Sequence, residues 1–265
     1  MGAQRRFRVW GAGLLAAGLV VAFSLRSPAV DGGIPSRPHP LPPTLEQWGD
    51  PTAGDYFDEI EVPPFGYLIW SRWPVRVYVE RREDDPSQNW RETVLAAVME
   101  WDAYVPLEIT GDRDRADIRI FRRRPPLKPG HLRARSGETR YRLLTRTTET
   151  GSRLLTHQFT ILLSPTQTGP YVASVARHEF GHALGIWGHS PEETDVMYFA
   201  QVREPPPISP RDVNTLRRIY QQPTQLGWPL ASADGPPSES GSALGDATSM
   251  NFDRRRTPKV YKIDR

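Results

Sequence analysis

Past Pro74 the stretch Arg72 to Glu80 alternates apolar Val75, Val77 and Val79 with polar Arg76, Tyr78 and Glu80, the period of two that predicts a half-buried strand. The pattern then changes. Apolar residues at Trp90, Val94, Ala97, Val98, Trp101 and Val105 follow helical spacing, with Pro86 or Ser87 as the start signal and Pro106 as the stop. Two short strands follow, Leu107 to Thr110 and Asp117 to Phe121. After an irregular stretch come two longer β-like runs, Thr139 to Thr147 and Arg153 to Leu163, around the turn signal Thr150-Gly151-Ser152. A helical pattern resumes at Pro170. A last helix opens at Ser209-Pro210-Arg211-Asp212, where Ser suits the N-cap, Pro the first turn and Asp the third helical position. Its inward positions are Val213, Leu216, Ile219 and Tyr220.

Both flanks of this region read differently. Arg5, Arg6 and Arg8 precede 17 uncharged residues, Val9 to Leu25, the pattern of a secretory signal or an N-terminal anchor. Residues 1–30 are therefore expected to be a signal peptide or membrane anchor that places the remainder outside the cytoplasm, tethered through residues 9–25 or secreted. Eight of the thirty residues from Pro35 to Pro64 are proline, which predicts an extended linker over 31–64. Beyond Gln222 periodicity disappears into Pro, Gly and Ser, so 223–265 is expected to be a disordered tail. A folded domain over 65–222 remains.

Composition narrows the chemistry. With no cysteine, disulfides, Cys-based zinc fingers and thiol nucleophiles are excluded, and any metal must be held by His or carboxylates. The net charge of +3 is carried by arginine, since lysine occurs only at 128, 259 and 262. Thirteen Lys or Arg face four Asp or Glu between Arg113 and Arg153, a field that could attract anions; a solvated Arg-rich loop is the default reading, and nucleic acid is not an expected partner of an exported chain.

The concentrated signal is His178-Glu179-Phe180-Gly181-His182-Ala183-Leu184-Gly185-Ile186-Trp187-Gly188-His189. On a helix, His178 and His182 stand one turn apart and can face one metal ion. Glu179 lies about 100° round the axis from His178 and can reach a water there without being a ligand. Metal-assisted hydrolysis needs this set: nitrogen ligands, an open position and a carboxylate to take a proton. H-E-x-x-H alone arises by chance in roughly one chain in a hundred of this length, whereas the addition of Gly185 and His189 lowers chance to the order of 10⁻⁵.

This stretch resembles the zinc signature of the metzincin endopeptidases, most closely the matrixin branch. In that pattern a glycine ends the helix in a sharp turn that returns a third histidine to the zinc. Here the histidine comes one residue late: the family spacing falls on Gly188, and His189 follows it. His189 is the expected third ligand, with Asp195 and Glu192 as the nearest substitutes and Glu204 for a site that uses a downstream Glu. Asp195-Val196-Met197-Tyr198 stands where the family has its Met-turn, so Met197 is expected beneath the metal.

The resemblance implies an α+β metzincin fold, a twisted mixed sheet of about five strands with three helices. It implies one catalytic Zn²⁺ on His178, His182 and His189, with Glu179 as general base in the hydrolysis of peptide bonds. The substrate would be a peptide or protein, lying antiparallel to an edge strand for which Thr139 to Thr147 is the candidate, and the chain is expected to be a monomer. A structural Ca²⁺ has no supporting residues, because the family's His- and Asp-rich segment is missing; His131 and His157 read as ordinary loop or strand residues. No cysteine is present to latch the zinc. The alternative is a non-catalytic, zinc-folded, Arg-rich binding module at the cell surface.

Overall fold

The computed structural model of the chain describes residues 34–81, 89–127, 135–230 and 260–262. The run expected as an export signal or anchor, 9–25, and His131 lie outside these residues. No helix among the described residues is long and apolar enough to cross a membrane.

Six strands form the sheet among the described residues: β1 (Val75–Val79), β2 (Leu107–Ile109), β3 (Ile118–Arg122), β4 (Gly137–Thr147), β5 (Arg153–Leu163) and the short β6 (Val260–Lys262), which falls in the stretch expected to be a disordered tail. Their order is β2-β1-β3-β5-β4-β6. β1, β2, β3 and β5 run parallel, and β4 is antiparallel to β5 as a hairpin. Parallel neighbours need a crossover. Between β1 and β2 it is helix α2 (Asn89–Met99, after the short α1 at Pro43–Glu46), which tightens into a 3₁₀ turn over Glu100–Ala103 before Pro106. After β5 come α3 (Pro170–Leu184) and α4 (Pro210–Tyr220). This is the mixed α+β fold that the resemblance implies, with β4 beginning two residues earlier than the pattern predicts, at Gly137.

The core explains the alternation. Val75, Val77, Val79, Ile118, Ile120, Phe159, Ile161 and Leu163 are buried along the strands, and Trp90, Val94, Ala97, Val98 and Trp101 are buried on α2. Ala176, Phe180, Ala183 and Leu184 complete the packing from α3. Each Val, Ile, Leu or Phe among them contributes about 1.5–3 kcal/mol by leaving water. The last carbonyls of α3, which have no partner within the helix, accept from outside: Trp70 Nε1 donates to Ala183 O at 2.9 Å and the Tyr220 hydroxyl to Leu184 O at 2.9 Å. The end of α3 is thus fixed from two directions.

The linker and tail expectations are corrected where the chain is described. Residues 34–64 run against the domain instead of standing away from it: Pro43 sits in the first turn of α1, where its missing N–H costs nothing, and Leu45, Tyr56 and Ile60 are buried. Residues 223–230 pack beside them. Arg37 and Thr224 exchange backbone hydrogen bonds at 3.2 Å, and Trp228 stacks on His39 with ring centroids 4.1 Å apart. Proline density registered the lack of long elements in these segments but not their apolar anchors.

Part of the arginine excess between 113 and 153 is engaged along the sheet. Arg76 and Arg146 both bind Asp117, Arg142 donates to the Gln158 side chain at 2.6 Å, and Arg135 and Arg140 bracket the buried Glu138. Burial alone would raise the Asp117 carboxyl, but hydrogen bonds from Arg76 outweigh it and hold the pKa below the ordinary value. His157 is buried and stacks on Trp70 at 4.1 Å; burial drives its pKa down to about 3, so it is a neutral core residue of β5.

Candidate metal centre

α3 carries His178, Glu179 and His182, all buried. The helix stops at Gly185, whose φ of 129° suits glycine, and whose Cβ, if present, would lie 2.4 Å from the Leu68 carbonyl oxygen. Ile186 N–H bonds to Gly181 O and Gly185 N–H to His182 O, both at 3.1 Å, a Schellman closure that reverses the chain. Four residues later His189 returns to the helix.

The result is a three-imidazole cluster. One ligand-capable atom from each of His178, His182 and His189 lies within 4.8 Å of the others, and no other group of three metal-ligating side chains occurs among the described residues. His178 Nδ1 bonds to Val196 O at 2.8 Å and His182 Nδ1 to Ile186 O at 2.7 Å. A carbonyl only accepts, so each Nδ1 carries the proton and each Nε2 keeps its lone pair for a metal. Imidazole nitrogens suit zinc, so the donor chemistry fits the ion that the resemblance implies. The one-residue delay before His189 does not keep it from the cluster.

Gly188 accommodates that delay by a different route from the one its type suggests. Its φ is not among the positive values. Instead it forms an isolated antiparallel bridge with Ile60, next to the bond from Glu61 N–H to Trp187 O at 2.9 Å. A Cβ on Gly188 would lie 2.2 Å from the Glu59 carbonyl oxygen. The expected consequence is that Gly188→Ala lowers the unfolding free energy by about 1–3 kcal/mol in urea titration. Gly111→Ala, with nothing within 4 Å of its added carbon, should change it by under about 0.5 kcal/mol. Equal effects would contradict the close backbone approach.

Met197 is fully buried and packs against α3 at Gly181, with its sulfur where a side chain on that glycine would begin: the added Cβ would stand 2.4 Å from Sδ. Ser190 N–H bonds to Met197 O at 2.9 Å, closing the loop between His189 and this methionine. Two buried carboxylates hold that loop to α4. Asp195 accepts from the hydroxyls of Ser190 (2.5 Å) and Ser209 (2.6 Å) and from Arg211 Nε (3.0 Å). Asp212 accepts from the Tyr56 hydroxyl (2.6 Å) and from the backbone N–H groups of Val196 (3.0 Å), Met197 (3.3 Å) and Ser209 (2.8 Å). Burial raises the Asp212 pKa despite the hydrogen bonds from Tyr56 and the backbone.

Of the substitute ligands, Asp195 is thus committed to the loop, and Glu192 and Glu204 are exposed and outside the histidine cluster. The capping box of Ser209 and Asp212 was legible in the sequence and is present. That Asp212 also binds the Met197 backbone was not, because no local spacing links residues 15 apart.

Glu179 is positioned by residues the sequence reading passed over. The Thr139 hydroxyl donates to Glu179 Oε2 at 2.7 Å and lies 2.9 Å from the Glu179 backbone carbonyl. At Gly137 an added Cβ would lie 2.6 Å from both Cγ and Oε1 of Glu179, so the start of β4 is bare where the carboxylate rests. Glu179 and His178 line one small cavity of about 50 Å³, with Ser136, Gly137, Val175 and Tyr198 among its walls. A separate hollow of about 320 Å³ is lined by Arg76, Asp117, Arg146 and His157, and both arginines pair with Asp117.

The matrixin family model matches residues 70–221, more than half of the chain. No curated protein matches it.

Proposed function

The chain belongs to the matrixin family, which implies zinc metallopeptidase chemistry, and on that premise we propose that it is a zinc-dependent endopeptidase with Glu179 as its general base and His178, His182 and His189 as its metal ligands. The observation that supports this most is the convergence of three imidazole donors within 4.8 Å, directly beside a buried carboxylate. When bound there, zinc supplies Lewis acidity that polarises a carbonyl and eases deprotonation of water.

The protein's own residues account for the rest. His178 and His182 present Nε2 because Val196 O and Ile186 O hold their Nδ1 protons. Glu179 takes a proton from the attacking water and returns it to the leaving amine nitrogen as the peptide bond breaks. The Thr139 hydroxyl holds one carboxylate oxygen, Oε2, so that the other is oriented for the transfer. No covalent adduct with the protein is required.

In this reading the substrate is an extended peptide or an unfolded stretch of protein, bound by a monomer working outside the cytoplasm, either secreted or tethered through residues 9–25. The basic residues before that apolar run support the location. The test is metal dependence in the full chain. Chelation should abolish cleavage of reduced, carboxymethylated casein and zinc should restore it; cleavage that survives chelation would exclude the proposal.

A further inference from the structure

The outer edge of β4 is not bare. A sixth strand, β6 (Val260–Lys262), pairs antiparallel with it, placing Arg140 opposite Lys262, Tyr141 opposite Tyr261 and Arg142 opposite Val260. The alternation of an antiparallel ladder tells which β4 groups are involved. On the β5 side the bounding bonds run from Ser164 N–H to Ser136 O and from Thr148 N–H to Ser152 O, so the even-numbered residues of β4 turn their backbone groups toward β5. The odd-numbered residues 137, 139, 141 and 143 turn theirs outward. Residues 137 and 139 are the two that abut Glu179, through the Gly137 contact and the Thr139 hydroxyl. Residue 141 is the next on the same edge, and β6 lies against it.

An exposed strand edge binds extended peptides by adding them as a further strand. In the peptidase reading the outer edge of β4 takes the extended substrate, and we propose that the chain's own segment Val260–Lys262, paired with that edge at Arg140 to Arg142, competes with peptide substrates for the backbone groups next to Glu179. The proposal rests on the peptidase reading for its consequence, restraint of cleavage, but the occupancy stands apart from catalysis. A tethered segment needs little intrinsic affinity, because tethering supplies a local concentration on the order of millimolar.

The register supplies its own control. Opposite Tyr141, Tyr261 directs its N–H into the ladder, whereas Lys262, opposite an even-numbered residue, directs its N–H away. Tyr261→Pro therefore removes a ladder bond and Lys262→Pro does not. The probe is a fluorescent peptide of residues 255–265, added to the full chain in a Glu179→Gln background so that it is not cut, with anisotropy as the readout. Tyr261→Pro should bind the probe about tenfold more tightly than its parent, and Lys262→Pro within about twofold of it. Equal affinity in Tyr261→Pro and parent, or equal gains in both proline variants, would overturn the occupancy. In chains with Glu179 intact, Tyr261→Pro should lower KM for carboxymethylated casein about five- to tenfold with kcat unchanged; an unaltered KM alongside tighter probe binding would overturn the restraint. If no form of the chain cleaves casein, the peptidase reading fails while the anisotropy comparison still decides the occupancy.

Discussion

Glu179→Gln is expected to reduce kcat for casein cleavage by about a thousandfold or more while the chain retains its zinc. The substitution keeps the size of the side chain and an acceptor oxygen for the Thr139 hydroxyl, and it places nothing new against Gly137. What it removes is the capacity to accept a proton, and positioned acid–base groups contribute about 10²- to 10⁴-fold. Zinc content by elemental analysis, measured on the same preparation, separates lost chemistry from lost metal. Activity within tenfold of the parent at full zinc occupancy would mean that another group moves the proton.

The second large effect concerns the late histidine. His189→Ala removes one of three donors and should weaken zinc binding by more than about a hundredfold, beyond the ten- to hundredfold that partners outside the ligand set are worth. Asp195→Ala is the necessary comparison, since Asp195 was one of the two nearest substitutes in the sequence and, unlike Glu192, is buried. Its carboxylate is already shared among Ser190, Ser209 and Arg211. Asp195→Ala should therefore destabilise the fold by about 2 kcal/mol, Arg211 being partly exposed and so only partly stranded, and still bind one zinc under native conditions. Loss of zinc in both variants to the same degree, or only in the Asp195 variant, would contradict the ligand assignment.

Those two carboxylates show where the sequence was legible and where it was not. Period-two alternation in Val75–Val79 and helical spacing from Trp90 to Trp101 located β1 and α2, because burial on one face is what those periods record. The cap at Ser209 was legible because its partner Asp212 is three residues away. The histidines at 178 and 182 were legible for the same reason, one turn of helix. What had no local signature was every contact made across the fold: Thr139 on Glu179, Gly137 beneath it, Asp212 on the Met197 backbone, and Ile60 against Gly188. The proline-rich flanks misled for a related reason. Proline sets the local path of the chain but does not prevent Leu45, Tyr56 or Leu226 from being buried, and residues 34–64 and 223–230 consequently pack on the domain they were expected to leave.

Gly188 illustrates how the family pattern tolerates a change. An added residue in the turn moves the third histidine one place along, and the displaced position is taken up by a glycine pressed against the Glu59 carbonyl. The N-terminal segment thereby becomes part of what holds His189, and a domain trimmed before residue 60 would lose that support.

The most direct test of the whole account is a zinc titration of the chelated full-length chain, with cleavage of carboxymethylated casein as the readout. Cleavage should rise linearly with added zinc and stop at one equivalent per chain, and His189→Ala should show no such endpoint. Cleavage that is independent of zinc, or a chain holding one zinc on these histidines that cuts no peptide bond, would contradict it.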